Sequence, residues 1–456
     1  MQNNKNSRPI LIIPSETQVR ELDAKLLLAC TAAERGFSSI VGSRYDIHLR
    51  IASLPRGIYV GKDVRQSSLK MFRILADLGY RIVAWDEEAL LPFPADRYYQ
   101  TRVSAEALKH VSASFAWGAE NAELFREYPN WGDVPIHVTG NPRFDLLRPE
   151  LRNFFAKERD RLRSRYGDFI LVNTNFGMLN HYVPNLTSLS PIEEETVRKV
   201  DEFTMGLSAH RYKVFAHFKQ MIPVISERFP DFNVVIRPHP SENHRVWQEI
   251  ARKHDNVQVV FEGSVLPWLL ACQALIHNGC TTAIEAYAMD QPAVAYRPVT
   301  SERFEKELPN GLSLEAFDID ELIVNLARAI ERKGPIKSPD QESLVRRHLT
   351  GIDGDLACER ILDVLETLEH VPGGHRPGII RYARGLCRTG LRAYQKQRNA
   401  GIHGHKNSAE YQQHRFPGIQ LTELQERVIL FGELLGRFRS VQTRQISENI
   451  FQVYAD

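Results

Sequence analysis

The chain has 456 residues, 58 Lys+Arg against 56 Asp+Glu, and 43% hydrophobic and 25% charged residues. That length exceeds one ordinary core and indicates two or three domains, and the composition excludes wholesale disorder, collagen-like repeats and coiled coil. A formal charge of +2 speaks against a nucleic-acid partner, and five cysteines without CxxC spacing speak against a disulfide framework or structural zinc.

In chain order, Ile10–Ile13 is a buried-strand pattern, and Gln18–Arg35 follows with Leu22, Leu26, Leu27 and Cys30 at helical spacing. Short apolar runs then recur at Ser38–Val41, Gly57–Val60, Arg81–Ala84, Ala113–Trp117 and Ile136–Val138, separated by helix-length segments. The charged segment Leu147–Tyr166 reads as a helical connector. The alternation restarts at Phe169–Asn173 and continues through Asn233–Arg237, Val257–Phe261, Ala274–His277 and Pro292–Tyr296. Continuous apolar strands between helices predict parallel sheets covered on both faces. The expected fold class is therefore α/β, with two Rossmann-like domains facing a cleft and a helical C-terminal extension. The expected boundaries are residues 1–146, 147–335 and 336–456.

From about Asp320 the pattern is helical, broken by VPGGHRPG at 371–378. Val371–Ala409 holds eight basic residues and no acidic one: Arg376, Arg381, Arg384, Arg388, Arg392, Lys396, Arg398 and Lys406. Arg381, Arg384, Arg388 and Arg392 share one helix face, which suits docking of 376–406 on an anionic membrane surface. The alternative is a solvated face. The apolar run Pro9–Pro14 is too short for a signal-peptide core, and no run reaches the length of a membrane helix. The expected location is the cytoplasm, with a peripheral position on the inner face of the inner membrane.

Residues at strand ends carry the candidate chemistry, because ligands of such sheets bind there. After Ala274–His277, an Asn278-Gly279 turn leads to Thr281 and Thr282 at a helix start, a phosphate-binding arrangement, with Glu285 one turn in to accept a ribose diol. Helix capping by threonine is the plainer reading. Arg237-Pro238-His239-Pro240 follows a strand; the prolines stiffen the backbone and fix His239, which with Arg237 would offset charge on a leaving phosphate. After Arg81–Ala84 come Asp86, Glu87 and Glu88. Three crowded carboxylates would repel one another and raise at least one pKa, as suits a general base or nucleophile; an acidic helix start is the alternative. Asn141 and Arg143, in the turn Thr139–Asp145, and Asn173 and Asn175 are candidate substrate or cleft residues, hinge packing being the alternative for the turn. GxGxxG, GxxxxGK[ST] and HExxH are absent, and Asp318-x-Asp320 reads as a helix cap rather than a metal motif.

RPHP and NGCTTAIEA in the second of two tandem Rossmann-like domains resemble a GT-B glycosyltransferase. They are similar to the His-Pro and Ser/Thr-Ser/Thr motifs of bacterial sialyltransferases and capsule Kdo transferases. TGNPRFDLLRPELR, LVNTNF, RPHPSENHRVW and HNGCTTAIEA resemble the bacterial surface-carbohydrate-biosynthesis proteins, over roughly residues 8–330. The resemblance implies transfer of a Kdo- or sialic-acid-like ulosonic acid from a CMP-activated donor to a glycan or glycolipid acceptor, with no metal and no cofactor beyond the donor. In the capsule transferases an acidic cluster followed by Gly supplies the catalytic carboxylate; here WDEEAL has Ala89 at that place. GNPRFD also resembles the glycerophosphate polymerases of teichoic acid synthesis. A UDP-sugar transferase, a UDP-sugar 2-epimerase and a non-catalytic scaffold of a polysaccharide assembly complex are the alternatives.

Overall fold

Apolar runs buried on both sides make the strands. In β1 (Ile10–Ser15), Leu11, Ile12 and Ile13 are wholly inaccessible, the signature of a central parallel strand with helices on both faces. The helix Gln18–Glu34 lays Leu22, Leu26, Leu27 and Cys30 into the same core. β2 (Ser38–Ser43), β3 (Ile58–Gly61), β4 (Arg81–Ala84), β5 (Ala113–Ala116) and β6 (Ile136–Val138) follow. The second series is β7 (Phe169–Asn173), β8 (Asn233–Arg237), β9 (Val257–Val259), β10 (Ala274–His277), β11 (Ala293–Tyr296) and β12 (Leu314–Ala316). The computed structural model describes residues 8–91, 94–182, 201–332, 337–369, 377–403 and 405–456.

The chain divides into two units, one of Met1–Phe154 with Arg346–Asp456 and one of Phe155–Val345. The α/β class with two Rossmann-like parallel sheets is the fold observed. In the second unit the order β12-β11-β10-β7-β8-β9 is parallel throughout. Counted within the unit this is 3-2-1-4-5-6, the dinucleotide-fold order. Its core centres on Phe176, Phe218 and Trp247; each such side chain contributes about 1.5–3 kcal/mol by leaving water.

The first unit orders its strands β13-β14-β2-β1-β3-β4-β5-β6. Its last two are a correction to the helical C-terminal region expected from the sequence. β13 (Val441–Ser447) and β14 (Ile450–Ala455) form an antiparallel hairpin, and β14 extends the first sheet by pairing with β2. Asn449 takes the turn at φ 57°, a conformation asparagine tolerates. The tail is therefore part of the N-terminal unit and not a separate region.

The turn after β6 is what fastens that tail. Asn141 caps the short helix Pro142–Asp145 by accepting the Arg143 N–H at 3.1 Å. Gly140 has φ 79°, and a Cβ there would stand 2.1 Å from the Thr350 carbonyl oxygen. Asp145, the last residue of that helix, is fully buried and accepts the N–H groups of Ala357 at 2.8 Å and Cys358 at 2.9 Å. A carboxylate from the first sheet thus caps the helix Ala357–Glu369, more than two hundred residues away in sequence. Asn141 and Arg143 sit in this clasp, which is the packing role weighed for the turn.

The basic face of helix Ile379–Ala400 also differs from expectation. Arg384 and Arg388 reach the carboxylate of Asp77 at 2.6 Å each, and Arg381 reaches it at 3.4 Å. Lys396 is buried over the ring of Tyr45. Desolvating Asp77 without cations is unfavourable, so these arginines are anchored to a carboxylate of their own unit while 43–53% of each side chain stays exposed. Val371–Arg376 lies outside the described residues.

The clasp makes a prediction. Asp145→Ala leaves two buried N–H groups without an acceptor and should lower unfolding stability by about 1–3 kcal/mol, read from denaturant midpoints.

Candidate functional site

In the second unit the topological switch falls between β7 and β10, which pair in parallel with Asn173 opposite His277. Loops leaving these two strands diverge to opposite sides of the sheet and open a crevice at their carboxyl ends. Asn173 ends β7 with 4% of its surface exposed, and among the described residues neither atom of its side-chain amide has a hydrogen-bond partner. Asn278 Oδ1 and Asn310 Oδ1 share that condition. Leaving such a group unmatched costs about 1–3 kcal/mol, so unmatched amides cluster where a polar ligand completes the bonding. Asn175, Asn278, Gly279 and Asn310 line one open pocket, joined there by His210, Arg211 and Lys306. Sequence reasoning missed Asn310, His210, Arg211 and Lys306, none of which lies in a motif.

The turn after β10 is set by a histidine. The Ser313 hydroxyl donates to the Pro309 carbonyl at 2.9 Å, so it accepts from His277 Nε2–H at 2.8 Å. His277 Nδ1 is then the acceptor for the Gly279 N–H at 3.0 Å. This assignment of the tautomer follows from the bonding network. Burial pushes the imidazole down to about 3, so it is neutral. Gly279 turns at φ 80°, which an L side chain rarely adopts.

Helix Thr281–Ala288 follows with Cys280 as its N-cap residue and no side-chain cap bond. Thr281 and Thr282 therefore do not cap the helix through their hydroxyls; Thr282 Oγ1 lies 2.6 Å from Cys280 Sγ. The helix start keeps its dipole and N–H groups towards the turn. Glu285 is buried one turn in, close enough to Cys280 that, after burial itself, its charge helps hold the thiol up.

The RPHP segment divides its work differently from expectation. Both Nη atoms of Arg237 donate to carbonyl groups, at 3.0 Å to Glu262 and 2.6 Å to Gly263. Its guanidinium lies over the rings of Phe261 and Trp268, and burial pushes its pKa down to about 10. Arg237 braces the loop after β9; the phosphate role expected for it is corrected, because its forked donors are already matched. His239 and Pro240 are exposed at the strand end. Nδ1 of His239 accepts the Ser241 N–H at 3.2 Å and lies 2.7 Å from the Ser241 hydroxyl. An accepting Nδ1 places the ring proton on Nε2.

Beneath His239 is a residue the motifs did not reveal. Glu242 is 1% exposed and accepts from the Phe176 N–H, the Thr174 hydroxyl, the His239 N–H and Trp247 Nε1–H, at 2.8–3.1 Å. One carboxylate thus ties the loop after β7 to the loop after β8. Burial raises its pKa against those four bonds. A lone Glu after RPHPS gives no sequence signal that it is internal.

In the first unit, Asp86, Glu87 and Glu88 do not crowd one another as expected. Asp86 is bound by the Arg102 fork and the Tyr98 hydroxyl, Glu87 lies 3.1 Å from Lys25 and 2.8 Å from Trp85 Nε1, and Glu88 lies 2.8 Å from Arg20. Burial pushes Asp86 up to about 7, with repulsion a lesser contribution, and the Arg102 pair favours its carboxylate. For Glu88, burial acts upward but Arg20 and Arg143 hold the carboxyl below its ordinary range. With Asp86 and Glu87 2% and 6% exposed, Glu88 is the member accessible to a ligand. The switch of this sheet lies between β1 and β3. Glu16, paired there with Lys62 and with Arg44 at 3.3 Å, was not among the candidates. Asp318 accepts the Glu321 N–H at 2.8 Å, a cap as read from the sequence.

No protein-family model matches the chain, and no curated protein matches it. Among solved structures it is similar to the UDP-GlcNAc 2-epimerase from Methanocaldococcus jannaschii, at 13% identity over 79% of this chain and 99% of that one, TM-score 0.48. It is similar to the UDP-GlcNAc 2-epimerase from Neisseria meningitidis, bound to UDP-GlcNAc, at 12% identity over 79% and 100%, TM-score 0.48. The wall teichoic acid polymerase TagF is matched at 12% identity over 79% and 90%, TM-score 0.43.

The neutral His277 gives a pH signature. Its folded pKa of about 3 lies below the unfolded value near 6.5, so the unfolded chain binds the extra proton. Stability from this group is complete above about pH 6.5 and lost as the pH falls towards 3, by a few kcal/mol in all. The stability gap between wild type and His277→Gln, measured by denaturant unfolding, should narrow as the pH drops from 7 to 5.

Proposed function

We propose that this chain is a glycosyltransferase that binds a CMP-activated sugar in the Phe155–Val345 unit and transfers a Kdo- or sialic-acid-like ulosonic acid to a glycan or glycolipid acceptor. The observation that carries the reading is the β7–β10 crevice. There a turn held by a neutral His277 and a helix start without a side-chain cap stand beside one pocket lined by Asn278 and Asn310, whose Oδ1 atoms have no partner among the described residues, and Asn173, also unmatched, ends β7. Backbone N–H groups and a helix dipole suit a phosphate, and the amides suit a base and a ribose. Arg211 supports an anionic ligand: it lines the pocket, and among the described residues its guanidinium meets the Met178 sulfur at 2.8 Å and pairs with no carboxylate. The preference for CMP comes from the resemblance of RPHP and NGCTTAIEA to the sialyl- and Kdo-transferase motifs.

In this reading His239 acts on the leaving group. With its proton on Nε2, the imidazole donates to a phosphate oxygen as the sugar–phosphate bond breaks and negative charge builds on the phosphate. Glu242 is a positioning residue for that ring. A carboxylate of the first unit takes the proton of the acceptor hydroxyl, or attacks the anomeric carbon if configuration is retained; the exposure of Glu88 favours it over Asp86 and Glu87. The charge on phosphate is offset by the helix start and nearby cations, so the reading needs no metal. The enzyme would work in the cytoplasm.

Calorimetric titration with CMP, CDP and UDP tests the donor. Tightest binding of CMP is expected; preference for UDP would replace this reading with a UDP-sugar transferase or 2-epimerase. His239→Ala should lower transfer at least about a hundredfold while leaving the melting temperature unchanged, because the side chain is exposed. Turnover near wild type would remove His239 from the mechanism. Binding without turnover, unaffected by changes at Asp86, Glu87 and Glu88, would identify a scaffold.

A further inference from the structure

Helix Ile379–Ala400 carries apolar side chains on its outer side. Its buried residues are Gly385, Thr389 and Lys396. On the other side Ile379 and Ile380 are each 88% exposed, Tyr394 64%, Leu391 59% and Leu386 41%. At 3.6 residues per turn these five lie within an arc of about 140°. Solvated helices place their apolar stripe inward, so this one presents the stripe to something other than water.

The border of the arc shows what that is. Arg381, Arg384 and Arg388 lie beside it with 43–53% of their side chains exposed, and among the described residues the one carboxylate they contact is Asp77, which leaves a net positive cluster. Arg56 stacks over Tyr382 of the same helix at 4.7 Å and is exposed. Lys70 and Arg73, exposed on the helix Leu69–Leu78 that carries Asp77, add to the same sign. No acidic residue occurs between Val371 and Ala409. An apolar stripe with a cationic border fits the plane where acyl chains meet anionic headgroups. A second copy of the chain would have to bring an acidic surface to match. Among the described residues no helix is long and apolar enough to cross a membrane.

We propose that helix Ile379–Ala400 lies in the interface of an anionic bilayer. Ile379, Ile380, Leu386, Leu391 and Tyr394 enter the acyl boundary, and Arg381, Arg384 and Arg388 face lipid phosphates. The sequence suggested docking through the arginine face alone; here the apolar face makes the contact and the arginines edge it. The inference stands apart from the choice of donor nucleotide.

Flotation of the full chain with phosphatidylcholine vesicles, with and without phosphatidylglycerol, tests it. Wild type should float with the anionic vesicles and remain behind with the neutral ones. Ile380→Ser combined with Leu391→Ser should weaken flotation about tenfold or more with an unchanged melting temperature, since both side chains are exposed. Failure of wild type to float with anionic vesicles, equal flotation with neutral ones, or unchanged flotation of the variant would each overturn the proposal. So would light scattering that shows a dimer which the variant dissociates, because the stripe would then be a protein interface.

Discussion

Where β7 and β10 run side by side, their outgoing loops have to part, because the chain continues to one side of the sheet from β7 and to the other from β10. That divergence leaves a crevice whose floor is two strand ends and whose walls are loops, and the second unit is organised to keep it open and polar. His277 is neutral because it is dry, and because it is neutral its Nδ1 can hold the Gly279 turn. Glu242 joins the loops on the other wall through four accepted hydrogen bonds. The residues that shape the crevice are internal and fully bonded, while asparagine amide atoms at its floor are left unmatched. Rigid support beneath and unsatisfied donors and acceptors above is what ligand binding requires.

The first unit treats its charges by a different rule. Nearly every buried carboxylate there has a cation or a helix end of its own: Asp86 with Arg102, Glu87 with Lys25, Asp145 with the start of helix Ala357–Glu369. Asp145 and β14 together bind residues from the end of the chain into a sheet built from its beginning. The partly exposed pairs of Arg35 and Arg437 with Glu359 add to this at about 0–1 kcal/mol each. Burial sets the terms throughout, since a carboxylate removed from water needs compensation nearby.

Much of this was legible from one dimension. Strand positions from Ile10 to Tyr296 follow from short continuous apolar runs, and the turn at Asn278-Gly279 follows from residue types that accept its backbone angles. Glu242 and Asn310 were not legible, because a single Glu or Asn in a loop looks the same whether it is solvated or buried. The hairpin Val441–Ala455 has polar outward residues and few inward ones, so its pattern does not stand out as strand. The place of Arg237 at a strand end points to a phosphate, but the carbonyls of Glu262 and Gly263 that claim it arrive from another segment.

The sequence by itself determined the class of fold, the alternation of strands and helices, and the stretch of positive charge from 371 to 409, because each depends on periodicity or composition within a short window. Only the tertiary structure decided which face of that basic helix turns to water, which of Asp86, Glu87 and Glu88 is accessible, and that the C-terminal residues belong to the first sheet. Those outcomes turn on desolvation and on partners distant in sequence: Asp77 for the arginines, Arg102 and Lys25 for the carboxylates, Gly42 and its neighbours in β2 for the last strand. A near-zero net charge carries no information about such pairings, since it is the sum over groups whose positions the fold alone assigns.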